Sequence, residues 1–178
     1  MNTTGQLTID RRAWDAPELT ATTEHDKIQL LDAVLAEPDD SEVHLLVEPP
    51  ADRKVTWDGT PVGGRGVMVF GYRDGWGAIS AQVPHPYRHE YIELVTFALD
   101  HEDKLAIPYD SDIPWFFPPT AVIPLPEARA ALITFATTML LDPVVAWQPQ
   151  ANITWDEPEP QVSRRSLYSG PARHWPAG

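Results

Sequence analysis

The sequence predicts an α+β fold: a single, mainly antiparallel sheet of about five to six strands, packed by two main helices. Three observations predict it. Two stretches with helical spacing and start signals stand far apart, at residues 23–36 and from Pro126 onward. Between them run short apolar segments separated by turn residues, with one clear hairpin and no regular strand–helix–strand alternation. The 19 prolines gather in clusters such as Pro49–Pro50, Pro84 and Pro86, Pro118–Pro119, and Pro158 and Pro160, which stop elements early and stiffen loops.

Residues 1–21 are polar and mixed, and read as a short strand or an ordered arm that Trp14 can anchor on a core. The first helix, 23–36, has Thr23 as its cap and Asp26 three residues on. Ile28, Leu31 and Leu35 follow at helical spacing, widened by Leu30 and Val34. Pro38 ends it. Val43 to Val47 reads as a buried strand closed by Pro49–Pro50. Residues 48–62 form a polar connection with a turn at Trp57-Asp58-Gly59. The hairpin pairs Val67 to Tyr72 with Trp76 to Ala81 across Arg73-Asp74-Gly75, where Asp-Gly tolerates the positive φ a tight turn demands. Gly63, Gly64 and Gly66 precede a strand and lack the Gly-Lys-Ser/Thr ending, so they do not form a phosphate loop.

Tyr91 to Leu99 and Lys104 to Tyr109 read as further strands, with Pro108 marking the end or an edge of the second. Acidic turns follow them at Asp100-His101-Glu102-Asp103 and Asp110-Ser111-Asp112. Residues 115–119 read as a loop. The second helix opens at Pro126, carries Ala128, Ala131, Leu132, Phe135 and Met139 on one face, and ends near Leu140–Leu141 before Asp142-Pro143. Val144 to Trp147 reads as the last strand. One domain is expected over 1–147, followed by a Pro- and Glu-rich tail over 148–178.

The charge balance narrows the partners. With 26 acids against 13 bases the net charge is −13, which repels phosphate backbones and favours a cationic partner over nucleic acid. The same acidity also serves plain solubility. There is no Cys, which excludes disulfides, thiol catalysis and Cys-ligated zinc. No apolar run approaches the roughly 20 residues that span a bilayer, and no signal peptide is visible, so a cytoplasmic protein with no membrane partner is expected. His85 and His89 would share a helix face with Glu90 nearby, but Pro84 and Pro86 keep that segment from being helical. No metal and no cofactor are expected. Neither a Gly-x-Ser-x-Gly elbow nor a His-x-Glu…Pro-Cys-x-x-Cys zinc-deaminase signature occurs, so no enzyme is expected.

The binding candidates are aromatic side chains beside acids: Asp74 with Trp76, and Asp100, Glu102, Asp103, Asp110 and Asp112 leading to Trp115. Phe117 and Trp147 read as core. For Trp115 the sequence leaves core and surface open, and the acidic turns also read as ordinary solvated turns.

Beyond this, Trp115-Phe116-Phe117-Pro118-Pro119, then Val122-Ile123-Pro124-Leu125-Pro126-Glu127-Ala128-Arg129-Ala130-Ala131, Phe135 and Asp142-Pro143-Val144-Val145-Ala146-Trp147 form an ordered set. It resembles the C-terminal half of the first immunity-protein family of bacterial polymorphic toxin systems, and the upstream hairpin extends the likeness over roughly 63–147. Thr137-Thr138-Met139-Leu140-Leu141 departs from it, being longer and more apolar than the Thr-Gly turn common in the family. The resemblance implies an antidote that binds a cognate toxin domain, often a nucleic-acid deaminase. Such a toxin would be basic and held 1:1, with its active site or substrate cleft occluded. Two other readings stand beside it: a non-catalytic adaptor or secretion chaperone, and a small hydrolase using a carboxylate pair.

Overall fold

A computed structural model describes residues 5–11, 17–37, 42–48, 56–57, 60–61, 65–84, 91–98, 105–110 and 115–152. The sheet runs through eight strands rather than five or six. The N-terminal segment supplies two of them, β1 (Leu7–Arg11) and β2 (Leu19–Ala21). After helix α1 (Glu24–Leu35), β3 (Val43–Val47) pairs with β1. A separate two-stranded ribbon pairs β4 (Thr56–Trp57) with β5 (Thr60–Pro61); Asp58 and Gly59 of the expected turn lie outside the described residues. The hairpin of β6 (Gly66–Arg73) and β7 (Trp76–Pro84) forms the middle of the sheet, and β8 (Tyr91–Thr96) follows. The order is completed by a second ribbon, β9 (Pro108–Asp110) with β10 (Trp115–Phe116), then β11 (Ile123–Pro124), helix α2 (Leu125–Thr138) and β12 (Trp147–Pro149). The main sheet is ordered β12-β8-β7-β6-β3-β1-β2 with antiparallel neighbours.

Strand β7 organises the middle. One edge takes β6 from Trp76 to Gln82; the other is shared, with β8 opposite Ser80–Pro84 and β11 opposite Trp76–Gly77. At the seam between β8 and β11 the Thr96 hydroxyl stands in for a ladder bond. It accepts from the Ile79 N–H (3.1 Å) and donates to the Ala121 carbonyl (2.6 Å).

The period-2 pattern sends alternate residues to one face: Leu7 and Ile9, Val43, Leu45 and Val47, Met68 and Phe70, Ile79 and Ala81. Both helices pack there through Leu31, Val34, Ala128, Ala131, Leu132 and Phe135. Helix α1 starts as read, with Thr23 accepting from the Asp26 N–H at 3.1 Å, and the Thr23 hydroxyl donates to the Asp26 carboxylate at 2.6 Å. The helices are clamped to each other by a bidentate pair, Arg129 Nε to Asp32 Oδ1 (2.6 Å) and Nη2 to Oδ2 (2.8 Å). That contact holds the Asp32 carboxyl below its ordinary pKa and the Arg129 guanidinium above its own. Lys27 is fully buried between the helices, and its Nζ donates to the Ala136 carbonyl at 3.1 Å; burial pushes its pKa down.

Several element boundaries differ from the sequence reading; the expected strand from Tyr91 to Leu99, for one, ends at Thr96. The expected strand over 104–109 begins only at Pro108, because Ile107 turns down onto the sheet beside Gly71, and proline is accepted as a strand's first residue. Residues 115–119, read as a loop, contain β10 and run into a 3₁₀ turn at Pro119–Ala121. The expected last strand, 144–147, is displaced to Trp147–Pro149, and α2 stops at Thr138 rather than near Leu141. The hydroxyls of Thr137 and Thr138 bond back to the Ile133 and Thr134 carbonyls (2.8 and 2.6 Å), competing with the helix ladder. Met139, placed by its spacing on the apolar face, does pack against that core, but as the left-handed cap (φ 61°), its N–H donating to the Phe135 carbonyl. Among the described residues, no helix is long and apolar enough to cross a membrane.

Candidate functional site

The face of the sheet opposite the helices is covered at its centre by residues 105–110 and 115–122. Ile107, Phe117, Ala121 and Val122 bury themselves against Ala78 and Val95, forming a second apolar cluster. Trp76, Leu105 and Tyr109 pack at its rim. The crossing chain lies close because β6 presents Gly71 beneath it: a Cβ there would sit 2.7 Å from Ile107 Cγ2 and would overlap the Pro108 carbonyl oxygen. Hydrogen bonds fasten the segment. Arg73 Nη1 donates to the Ala106 carbonyl (2.8 Å), the Phe117 N–H to Ile107 (2.9 Å), and the Ala98 N–H to Thr120 (2.8 Å). The Tyr109 ring meets Phe117 edge to face, with centroids 5.1 Å apart.

On this platform stands the β9–β10 ribbon, in which Trp115 is the register partner of Asp110. Trp115 is 42% exposed, which answers the question the sequence left open. A large aromatic is thus held half in water on a backbone that is itself seated on the sheet. The tip of the β6–β7 hairpin lies at the same end, and Arg73 joins it to Ala106 in the segment leading into the ribbon. Asp74 and Gly75 take the positive φ angles (51° and 83°) of the expected turn, and the Gly75 carbonyl accepts from the Leu125 N–H at 2.8 Å, tying the tip to the start of α2.

Of the eight candidate residues, the structure brings four to this end of the molecule. Asp74 is exposed at the hairpin tip; Trp76 is half-buried and packs on the second cluster; Asp110 and Trp115 are paired in the backbone register of the ribbon. Asp100, Glu102, Asp103 and Asp112 lie outside the described residues, as do His85 and His89. Phe117 is buried as expected. Trp147 is half-buried against the helix-side core, with its Nε1 donating to the Asp142 carbonyl at 3.1 Å. Among the described residues, no group of three or more His, Cys, Asp or Glu side chains is placed to hold a metal ion.

The sequence reading missed three exposed apolar side chains: Tyr91 (50% exposed), Leu140 (67%) and Val144 (85%). Leu140 and Val144 hid inside the runs Leu140-Leu141 and Val144-Val145, where one partner of each pair points inward. Only the Asp142-Pro143 break between the runs hinted that they belong to a loop.

No curated protein and no solved structure matches the chain significantly. A family model, described as immunity protein Imm1, matches residues 15–149, which takes in β2, both helices, the central hairpin and the platform beneath Trp115. The motif residues of the resemblance occupy structural posts in this fold: Arg129 clamps the helices, Phe135 fills the core, and Trp147 opens the last strand. The match covers most of the chain, and the protein belongs to the Imm1 family of immunity proteins.

Proposed function

We propose that this protein is a non-catalytic antidote that binds a cognate toxin domain 1:1 in the cytoplasm and covers its active site or substrate cleft. The toxin is a nucleic-acid deaminase on this reading. A deaminase must hold a phosphate chain, so its cleft is positive, and a protein of net charge −13 is steered toward such a cleft. The observation that carries the reading is Trp115, 42% exposed on a ribbon fastened to the sheet. A preorganised aromatic gives apolar contact at small entropic cost, which is what interface anchors require. On this reading Asp74, Asp100, Glu102, Asp103, Asp110 and Asp112 supply charge to the interface, and Trp76 supports it from the hairpin side.

Titration of the purified chain with the toxin encoded beside it tests this reading. Trp115→Ala is expected to weaken binding by about 2 kcal/mol or more, some thirtyfold in Kd. Reversing the six acids should raise Kd and flatten its dependence on salt. Wild-type affinity in both variants would remove this end of the molecule from the interface.

A further inference from the structure

The ribbon that carries Trp115 is slight. Its strands are three and two residues long, they pair with no other described strand, and their register slips between Trp115 and Phe116. A two-stranded ribbon of this size is not stable alone, and a slipped register leaves the direction of its side chains weakly set. Burial of Ile107 and Phe117 fixes its inner side. The chain enters it through Ala106, which is exposed, and there the fastening comes from Arg73. Arg73 ends β6 two residues beyond Gly71, so strand alternation sends its side chain over the face that the platform covers. Its backbone is firmly based: it is opposite Trp76 in the last register pair of the central hairpin, whose Gly75 carbonyl is tied to α2 through the Leu125 N–H. From that base Nη1 donates to the Ala106 carbonyl at 2.8 Å. The next carbonyl, of Ile107, accepts from the Phe117 N–H, and Phe117 is two residues from Trp115.

We infer that Arg73 is a positioning residue for the toxin interface: it fixes the entry to the ribbon so that Trp115 is presented in one orientation. The inference rests on the proposed role of Trp115. The charge of Arg73 separates this role from simple attraction. A cation at the end that meets a basic cleft opposes the approach, and deleting it makes a chain of net charge −13 one unit more negative. Charge alone therefore predicts tighter binding without Arg73, whereas loss of placement predicts weaker binding. The bond is also at the surface, so its loss lowers the stability of the whole fold little while freeing the ribbon locally.

Toxin binding by Arg73→Met, Trp115→Ala and the double variant tests the inference, with hydrogen exchange of the free chain beside it. Met keeps an apolar stem and deletes the donors. With Trp115 present, Arg73→Met is expected to raise Kd about three- to tenfold, the range for ordering one interface element. The loss should lie in koff, with kon at or above wild type. In the Trp115→Ala background the same substitution should change Kd by less than about twofold, because Arg73 acts through the indole. In the free chain, exchange at the Phe117 N–H and through residues 105–110 should quicken at least about threefold while α2 keeps its rate. Arg73→Lys, which retains a donor, should recover most of both losses. Unchanged exchange in Arg73→Met overturns the inference. So does an equal loss of affinity in both backgrounds, which would make Arg73 a toxin contact, and so does a gain in affinity, which would make its charge outweigh its placement. Wild-type affinity in Arg73→Met, with Trp115→Ala weakened, sinks the inference and leaves the role of Trp115 standing. Wild-type affinity in Trp115→Ala is the other failure: it removes that role, and the inference with it.

Discussion

Gly71→Ala should lift the platform that carries Trp115 while sparing the helix-side core. The added Cβ would lie 2.7 Å from Ile107 Cγ2 and overlap the Pro108 carbonyl oxygen, whereas ordinary van der Waals contact begins near 3.4 Å. Ile107 can retreat only by leaving the cluster in which it is fully buried, and the Pro108 carbonyl only by moving backbone; a displacement of about 1 Å is needed. It would strain the 2.8 Å bond from Arg73 to Ala106 and the 2.9 Å bond from Phe117 to Ile107. Overpacking of this kind costs about 1–3 kcal/mol. In a chain of this size that lowers Tm by roughly 3–10 °C. The informative readout is local. Hydrogen exchange at residues 105–117 should accelerate more than exchange at α2 or β3. Gly77→Ala is the matched control, since its Cβ would press on Phe70 (2.9 Å) and Ala128 (3.0 Å), on the helix side. It should lower Tm without selectively loosening the ribbon. Wild-type protection of residues 105–117 in Gly71→Ala would refute the claim that Gly71 seats the platform.

Three further predictions concern the helices and the loop. Arg129→Ala should cost at most about 1 kcal/mol in urea unfolding at neutral pH, because the pair with Asp32 is half exposed. The Asp32 carboxyl has its folded pKa below the ordinary 3.8, so its contribution is in place above 3.8 and is lost as pH falls through the depressed value; the variant should lack that acid-side slope. Lys27 has its folded pKa lowered by burial, so between that value and 10.5 the unfolded chain binds more protons and wild-type stability rises with pH. Lys27→Met should flatten that alkaline rise when unfolding is followed by circular dichroism across the window. Asp142→Ala strips acceptors from the Thr134 hydroxyl and the Val144 N–H, and should cost about 1–3 kcal/mol by thermal unfolding.

Much of the fold was legible because local chemistry and packing agree in it. Thr23, the Asp74-Gly75 turn and the alternation in Val43 to Val47 each point to the conformation that the core also demands. The reading failed where a long-range contact overrode local pattern. Leu105 to Ile107 are apolar enough for a strand, but Ile107 is drawn off the ribbon to fill the space above Gly71, a residue more than thirty positions earlier. Ala146 and Trp147 were expected to finish a strand that in fact begins there, because Asp142 captures the Val144 N–H and delays pairing with β8. The short β1 and β2 were blurred by polar residues: β1 finds its partner in β3, which the sequence places after a whole helix, and β2 then pairs with β1.

The same division explains why the family was readable and the partner was not. Arg129, Phe135 and Trp147 hold helix to helix and helix to sheet, so their places in this chain are set by packing within the fold, and their spacing is fixed by the backbone. Trp115 and Asp74 hold nothing comparable. Trp115 contributes its exposed ring to no buried cluster, and Asp74 needs only to tolerate a positive φ. Stability therefore leaves these positions free, and their identities carry information only about what they meet. A partner of different shape could be accommodated by changing the ribbon and the hairpin tip while Gly71, Phe117 and Ile107 keep the platform in place. Replacing Trp115 should accordingly alter binding with little change in Tm, whereas Phe117→Ala should cost about 3–5 kcal/mol of stability, lower Tm accordingly, and weaken binding only through loss of the platform.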